Sequence, residues 1–217
     1  MSIIKCVIFD WDGTLLNSLD HIVYCFTESA KRIGIEPPEA EAIKSITGLG
    51  INDIHQRLMP SLSQETFAEY VSIYREILFA SYEENTRLFE GGHELIARLR
   101  EQGKILAIAT AKSRKGLDLS MQQLAVVPHF ATTRCAEETA QKPDPLMLHQ
   151  ILDELGFNAS EAVMIGDTEF DLQMGKNAGM ACIGVTYGAH PPARLAAVGP
   201  NSLVHHVSEI DQAVAAL

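Results

Sequence analysis

The feature that most constrains this fold is a short apolar run, residues 3–8, followed closely by the sequence Asp-Trp-Asp-Gly-Thr at residues 10–14. The run is rich in β-branched residues and too short for a typical helix, so it predicts a buried strand. Open α/β proteins bind ligands at the carboxyl ends of their parallel strands. Because residues i and i+2 of a straight strand share a face, we expect Asp10 and Asp12 to point into one crevice, with Gly13 turning the backbone beside the ligand. The alternative interpretation is an Asp-Gly turn that binds nothing.

The composition argues against several classes of protein. Of the 217 residues, 47% are hydrophobic and 21% are charged, which suits a packed core and is unlike a disordered chain. The net charge of −11 argues against nucleic acids and anionic membrane surfaces as partners. No apolar stretch approaches the ~20 residues that span a bilayer, and the start of the chain lacks the layout of a signal peptide, so we expect a cytoplasmic protein. The four cysteines form no Cys-x-x-Cys pair, which favours buried free thiols.

The order of the predicted elements indicates an α/β fold with an insertion. From Gly91 onward, apolar strand-like runs alternate with helical patterns, which is typical of a doubly wound parallel sheet in a Rossmann-like core. The strand before Asp10 belongs to that sheet, yet the next strand begins only at residue 104, although a βαβ unit needs just ~30 residues. We therefore predict a core of residues 1–16 and 89–217, and an inserted all-helical cap of residues 17–88 over the carboxyl edge of the sheet.

Periodicity, turn residues and capping residues place the individual elements. Ser63 is the predicted cap of a long helix, and Asp144 is the predicted cap of a helix with Pro145 at its first position. The later strands are predicted at residues 104–110, 130–135, 162–167, 180–185 and 202–204. The helices are predicted at residues 18–33, 39–46, 63–82, 92–102, 114–124, 145–155, 171–178 and 193–198, with two more from residues 52 and 208 onward.

Polar residues recur where an α/β sheet would present them, at or just past the ends of predicted strands. Thr110 closes one strand, Lys142 stands just before a capped helix, and Asp167 and Asp171 follow another strand. Taken singly, each has an ordinary interpretation: a strand-end threonine, a surface lysine, and carboxylates that favour the positive end of a helix dipole. Their order after the first strand makes coincidence a poor explanation.

In this order the clusters resemble the four motifs of the haloacid dehalogenase-like (HAD) superfamily of phosphohydrolases. The matching residues are residues 10–14 for the first motif, Thr110 for the second, Lys142-Pro143 for the third, and Gly166-Asp167 with Asp171 for the fourth. The resemblance covers nearly the whole chain, because a helical cap between the first and second motifs is typical of one large branch of the superfamily.

The resemblance implies a Mg²⁺-dependent phosphoryl transfer through a covalent intermediate. Asp10 would attack phosphorus and form an aspartyl phosphate, whereas Asp12 would protonate the leaving group and later take a proton from the hydrolytic water. The Mg²⁺ would be bound by Asp10, by the backbone carbonyl of Asp12 and by Asp167, with Asp171 either a ligand or beside one. These roles need Asp10 ionised and Asp12 able to hold a proton.

The resemblance also implies how the phosphoryl group is bound. Lys142 would offset the carboxylates and hold the phosphoryl group, and the Thr110 hydroxyl with the backbone at Gly13 and Ala111 would bind its oxygens. Gly48 lies in a predicted cap loop that either closes over the pocket as a mobile lid or forms an ordinary turn between helices.

The substrate is less constrained than the reaction. An acid at Asp12 favours hydrolysis of a phosphate ester or anhydride over dehalogenation or carbon–phosphorus cleavage, which need no such proton. The sequence looks most like phosphoglycolate phosphatase, through residues 12–18 and the glycines around residue 49. The alternatives are an inorganic pyrophosphatase, a β-phosphoglucomutase-like phosphotransferase and, from another class, a non-catalytic binding protein. The mutases typically carry a valine at Thr14, a histidine one place after His21 and an arginine near Ile51, and this chain departs from all three.

The expected partner is a small phosphorylated metabolite, bound by a monomer or a homodimer. Six cations in the cap are candidates to bind a substrate carboxylate or second phosphate, although we expect most to be solvated on helix faces. They are Lys31, Arg32, Lys44, Arg57, Arg75 and Arg87.

Overall fold

The computed structural model describes residues 4–217, apart from the side chains of residues 51, 52, 82 and 83. The first residue of the predicted first strand, Ile3, lies outside this range. Six strands form one sheet: β1 (Cys6–Phe9), β2 (Ile105–Thr110), β3 (Phe130–Cys135), β4 (Ala162–Gly166), β5 (Ala181–Val185) and β6 (Ser202–Val204). All the pairings between neighbouring strands are parallel, and the order across the sheet is β3-β2-β1-β4-β5-β6.

Eleven α-helices are assigned in the described residues. Five lie within residues 17–88: α1 (Leu19–Arg32), α2 (Ala40–Ile46), α3 (Ile51–Leu58), α4 (Gln64–Ala80) and α5 (Tyr82–Asn85). The others are α6 (Gly92–Glu101), α7 (Arg114–Gln123), α8 (Leu146–Leu155), α9 (Glu169–Asn177), α10 (Pro192–Val198) and α11 (Ile210–Ala215). None of the helices in the described residues has the length and apolar character needed to cross a membrane.

The α/β prediction is confirmed, and the reason is visible in β1, whose residues are all buried. Val7 and Phe9 face the cluster formed with α6, α7 and α11, whereas Cys6 and Ile8 face the cluster formed with α8, α9 and α10. A parallel strand covered by helices on both faces has no polar face, which is why Cys6–Phe9 form a continuous apolar run. All four cysteines are buried and free, as predicted.

The helices α1–α4 share a further hydrophobic cluster. Phe26 of α1 packs with Tyr70 and Tyr74 of α4, with ring centroids 6.0 and 4.8 Å apart. The cluster also takes in Phe170 and Ala189, which lie beyond the carboxyl ends of β4 and β5. No strand of the sheet is assigned among the described residues between β1 and β2.

The starts of α8 and α9 differ from the predictions. Helix α9 begins at Glu169, two residues before the predicted start, since Thr168 is its N-cap. Helix α8 begins at Leu146, so that Pro145 is its N-cap rather than its first residue, although Asp144 still accepts a bond from the Leu146 N–H at 2.9 Å. Ser63 caps α4 as predicted.

Candidate active site

The order and register of the strands bring together the polar residues that were predicted to converge. Phe9 pairs with Ile108 of β2 and with Ile165 of β4, so the three central strands end at the same level. The Asp10 N–H continues the ladder to the Ile165 carbonyl at 2.8 Å. The sheet order changes direction between β1 and β4, and an open sheet of this kind binds ligands at such a point. Asp10 and Asp167, which follow these two strands, therefore lie side by side.

Lys142 is buried at the centre of this cluster. Its ammonium donates to Asp10 Oδ1 and to Asp171 Oδ1, each at 2.6 Å. The lysine is only 2% exposed, and the two aspartates are 4% and 0% exposed. The interpretation of Lys142 as a surface lysine is therefore wrong, since it bridges two buried carboxylates.

Asp171 lies at the start of a helix and also faces the carboxylate cluster, the two interpretations that the sequence left open. It lies in the first turn of α9, where its Oδ2 accepts from the N–H and the hydroxyl of Thr168 at 3.0 and 2.6 Å. This is a capping box, which satisfies helix N–H groups that would otherwise have no partner. Its other oxygen binds Lys142. The same carboxylate thus starts the helix and faces the site.

Asp167 is held by groups from two separate loops. Its Oδ1 accepts from the Thr14 hydroxyl at 3.0 Å, and its Oδ2 accepts from the Ala189 N–H at 2.7 Å. Gly13, with φ of +85°, packs so closely that a Cβ there would overlap the carboxylate. A Cβ at Gly188 would overlap Asp167 from another side. Glycine is thus required at both positions for the backbone to approach Asp167.

The three carboxylates form a site that suits a hard cation. Asp10, Asp167 and Asp171 are all buried, and each offers an oxygen within 4.8 Å of the others. Burial raises the pKa of Asp10 to about 7, with Lys142 opposing this and Asp171 adding to it. Burial opposes the charge on Lys142 as well, but the two carboxylates beside it raise its pKa above the usual value. One lysine thus faces three crowded acids, an arrangement that a divalent cation with oxygen ligands would stabilise.

Asp12 lies at the same edge but faces different partners from Asp10. The expectation of a straight strand was wrong, because β1 ends at Phe9 and residues 10–12 lie beyond it. Asp12 Oδ1 accepts from Lys112 Nζ at 2.9 Å and from the Ser18 hydroxyl at 2.7 Å, and Oδ2 accepts from Lys112 at 3.0 Å. Both aspartates line the same cavity, as predicted, but only Asp10 joins the carboxylate cluster.

The sequence analysis missed the partners of Asp12 and Asp167. Lys112 lies two residues after Thr110, which had been singled out because it closes a strand. Ser18 is the N-cap residue of α1, but its hydroxyl makes no capping bond there and binds Asp12 instead. The Ala189 contact uses a backbone N–H, for which a sequence carries no signal.

Thr110, Ala111 and Gly48 line a cavity of about 250 Å³ above the sheet edge, together with Asp10 and Asp12. The Thr110 hydroxyl accepts from the Lys112 N–H at 3.1 Å. Gly48 has φ of +91°, and a Cβ there would contact Thr168 at 3.4 Å, so its loop rests on the start of α9.

Most of the predicted cap cations are engaged elsewhere. Lys31, Arg32 and Lys44 form ion pairs with Glu28, Glu76 and Glu41, respectively. Arg57 lies over the ring of Phe170, Arg75 lines the cavity, and Arg87 is exposed.

We expect Asp167→Asn to stabilise the metal-free protein at neutral pH. Burial, and then the charges of Asp10 and Asp171, raise the pKa of Asp167 well above its usual value. The folded chain therefore holds this proton more tightly than the unfolded chain, and the associated stability is lost as the pH rises through the folded pKa. Asparagine removes the charge and can still accept from Ala189 and donate to the Thr14 hydroxyl.

The measurement is thermal unfolding in EDTA at pH 5 and pH 8. The Tm of the variant minus that of the wild type should be larger at pH 8 than at pH 5. For a chain of this size, a stabilisation of ~1 kcal/mol raises Tm by about 2–4 °C. The same substitution at the exposed Asp153 is the control and should give no such difference. If the difference in Tm is no larger at pH 8 than at pH 5, the charge of Asp167 does not destabilise the folded protein.

Comparison with known proteins agrees with this geometry. Residues 7–185 match the model of the haloacid dehalogenase-like hydrolases. The chain is 32% identical to the probable phosphatase IndB of Dickeya dadantii, over 97% of this chain and 94% of that protein. It is 25% identical to a phosphoglycolate phosphatase of Vibrio parahaemolyticus, over 98% and 96% of the two chains. The crystal structure of a predicted phosphoglycolate phosphatase from Haemophilus somnus has the same fold, with a TM-score of 0.89, 22% identity and 98% coverage of both chains.

The chain belongs to the haloacid dehalogenase-like hydrolase family. The prediction of a phosphatase of this family is thereby confirmed, and the non-catalytic alternative is not supported.

Proposed function

We propose that this chain is a Mg²⁺-dependent phosphohydrolase that acts on a small phosphorylated metabolite through an aspartyl phosphate on Asp10. The observation that carries the proposal is the cluster of Asp10, Asp167 and Asp171, whose oxygens lie within 4.8 Å of one another, with Lys142 bonded to two of them. A nucleophile, a cation and a place for a metal are what phosphoryl transfer requires of a protein.

The donor set supports Mg²⁺ over softer metals. Three buried carboxylates, with no cysteine or histidine among them, form an all-oxygen site of the kind that magnesium prefers. The Asp12 backbone carbonyl is the further ligand that the family resemblance implies. When bound, the ion would neutralise charge on the phosphoryl oxygens and favour the ionised form of Asp10.

The first half of the reaction is a displacement at phosphorus. In our proposal an oxygen of Asp10 forms a bond to phosphorus as the bond to the leaving alcohol breaks. Lys142 holds Asp10 in place through its 2.6 Å bond. Thr110 and Ala111 line the cavity, and we propose that the Thr110 hydroxyl and the Ala111 N–H bind phosphoryl oxygens. In this proposal the negative charge that develops on the phosphoryl oxygens lies near the buried ammonium of Lys142.

The proton transfers fall to Asp12 in this proposal. Its proton passes to the departing alkoxide, which leaves as the alcohol. The carboxylate then takes a proton from water, which attacks phosphorus and returns Asp10 and inorganic phosphate. Ser18 and Lys112 hold Asp12 away from the carboxylate cluster. That separation supports the division of roles between the two aspartates, because only Asp10 belongs to the carboxylates that could hold the metal.

The test is phosphate release from a panel of small phosphate monoesters and pyrophosphate, measured with Mg²⁺ and with EDTA. The panel includes 2-phosphoglycolate, because a relative with that activity is 25% identical, and hexose phosphates. We expect release that requires Mg²⁺. No release from any substrate with Mg²⁺, or full release in EDTA, would contradict the proposal.

We expect Asp12→Asn to slow the first displacement by a factor on the order of 10²–10⁴ for an alkyl phosphate, because the alcohol then leaves without its proton. The loss should be much smaller for p-nitrophenyl phosphate, whose leaving group needs no proton. Single-turnover release of the alcohol or phenol measures this step, with the exposed Asp20→Asn as control. Equal losses for both esters would remove Asp12 as the general acid.

We also propose that α1–α5 act as a cap, with the predicted boundaries of residues 17–88. Contacts between this segment and the core support the idea, since His190 bonds to the Ser45 carbonyl at 3.2 Å and Gly50 packs against Gln141. A cytoplasmic monomer or homodimer without nucleic-acid or membrane partners remains the working proposal. The alternative reactions are hydrolysis of pyrophosphate and transfer of the phosphoryl group to a second sugar hydroxyl. The side chain of Ile51, which bears on the second of these, lies outside the described residues.

A further inference from the structure

The cavity above Asp10 continues away from the sheet into the helices of the cap. Asp10, Asp12 and Thr110 line one end, and residues of α1 and α4 line the other, so that one continuous space joins them. Its volume is about 250 Å³, the space of roughly eight water molecules at ~30 Å³ each. The phosphate group of a monoester has four oxygens, so roughly half of the space remains for the rest of the substrate.

The far end of the cavity is apolar and aromatic. Among the residues of α1 and α4 that line it are Ile22, Phe26, Phe67, Tyr70, Val71 and Tyr74. The Tyr70 hydroxyl donates to the Phe26 carbonyl at 2.8 Å, so this polar group is engaged within the cap. Such a wall gains free energy by covering carbon atoms and offers little to a second anionic group.

The cations that line the cavity also favour an apolar group over an anionic one at the far end. The described lining residues include two, Lys112 and Arg75. Lys112 is held on Asp12 by bonds of 2.9 and 3.0 Å, and Arg75 is exposed. Arg75 is therefore the one of these two cations that an anionic group at the far end could reach. A second phosphate or a carboxylate seated among the aromatic rings away from Arg75 would be desolvated without a cation beside it, which is costly.

We propose that the substrate of this phosphatase is a phosphate monoester whose leaving group carries an apolar portion about the size of a benzene ring, seated between α1 and α4. The inference rests on the proposed function, since it takes Asp10 as the point at which phosphorus is bound. The remaining space, roughly half of the 250 Å³, is slightly smaller than the ~150 Å³ apolar cavity that is known to hold benzene, so a ring of that size is near the upper limit of what fits.

The test is a series of straight-chain alkyl phosphates from ethyl to hexyl, assayed with Mg²⁺. Their leaving alcohols are similarly acidic, so changes in kcat/KM report burial of the chain rather than a change in chemistry. We expect kcat/KM to rise about three- to fourfold per methylene, the factor that ~0.8 kcal/mol provides, and so by roughly a hundredfold across the series. Hexyl and benzyl phosphate should also exceed 2-phosphoglycolate and pyrophosphate.

A pair of variants assigns the effect to the cavity wall. Val71→Asn places an amide in the lining, and we expect it to flatten the dependence of kcat/KM on chain length. Val23→Asn is the matched control, because Val23 is also half-buried against the same cluster but does not line the cavity. It should keep the full dependence. The wild-type series stands by itself if either variant fails to fold.

The outcomes separate this inference from the function on which it rests. Mg²⁺-dependent release with no dependence on chain length, or a preference for 2-phosphoglycolate or pyrophosphate, would overturn the inference and leave the phosphohydrolase intact. No release from any ester would overturn the proposed function itself. The same dependence on chain length in wild type and Val71→Asn would move the apolar site away from α4.

Discussion

Asp10→Asn is expected to release no measurable phosphate from any ester that the wild type hydrolyses. An amide cannot attack phosphorus as a carboxylate does, so the first displacement has no nucleophile. We expect kcat to fall by a factor on the order of 10⁶, the size found when a covalent nucleophile is removed from a hydrolase. The measurement is phosphate release at saturating substrate with Mg²⁺, using enough protein to detect the residual rate.

This variant should stay folded, which makes the loss interpretable. The asparagine oxygen can still accept the bond from Lys142, and one of three crowded charges is removed. Unfolding curves of variant and wild type provide the check, and Asp153→Asn on the exposed face of α8 is the matched control for activity. A folded Asp10→Asn protein with activity within about tenfold of the wild type would contradict the assignment of the nucleophile.

Lys142→Met should produce the largest loss of stability. Methionine nearly matches the length of lysine but carries no charge, so Asp10, Asp167 and Asp171 would remain buried without the cation that bridges two of them. Removing one partner from a buried ion pair costs about 3–5 kcal/mol. We expect a loss of this size in the free energy of unfolding in EDTA at pH 8. At pH 5 the loss should be smaller, because the carboxylates can take up protons.

The control for this variant is Lys176→Met, an exposed lysine of α9, which should change stability by less than ~0.5 kcal/mol. Denaturant unfolding in EDTA and again with Mg²⁺ completes the experiment. A divalent ion bound by the same carboxylates would restore part of the lost stability. If Lys142→Met is as stable as the control in EDTA, the buried lysine is not what holds the carboxylates together.

The fold was predictable from the sequence because its signals are local and strong. Each central strand is a short, fully apolar run that ends in a polar residue, and such a run can only be buried on both faces. The order of the strands across the sheet was harder to predict than the strands themselves. Pairing of Phe9 with both Ile108 and Ile165 joins residues far apart in the chain, and nothing in the sequence states which strands are neighbours.

The site was predictable in its members but not in its contacts. Asp10, Lys142, Asp167 and Asp171 were identified from their positions after strands and from the family motifs, and they do lie together. The separation of Asp12 from this cluster depends on where β1 ends, which a pattern of alternating faces cannot locate to one residue.

The partners that orient the carboxylates were harder still to predict. Ser18 and Lys112 act through single side chains that a sequence also uses for caps and surfaces, and Ala189 acts through its backbone. The apolar cavity depends on how α1 packs on α4, and periodicity predicts the helices without their crossing. Such contacts between separate elements decide what the substrate can be.

The central claim is that the phosphoryl group rests on Asp10 between two displacements. The stereochemical course at phosphorus tests this directly, and it does not require the intermediate to accumulate. A phosphate ester made chiral with sulfur and oxygen isotopes is hydrolysed in labelled water with Mg²⁺. Each in-line displacement inverts phosphorus, so two displacements predict retention of configuration. Inversion would mean a single attack by water and would contradict the account.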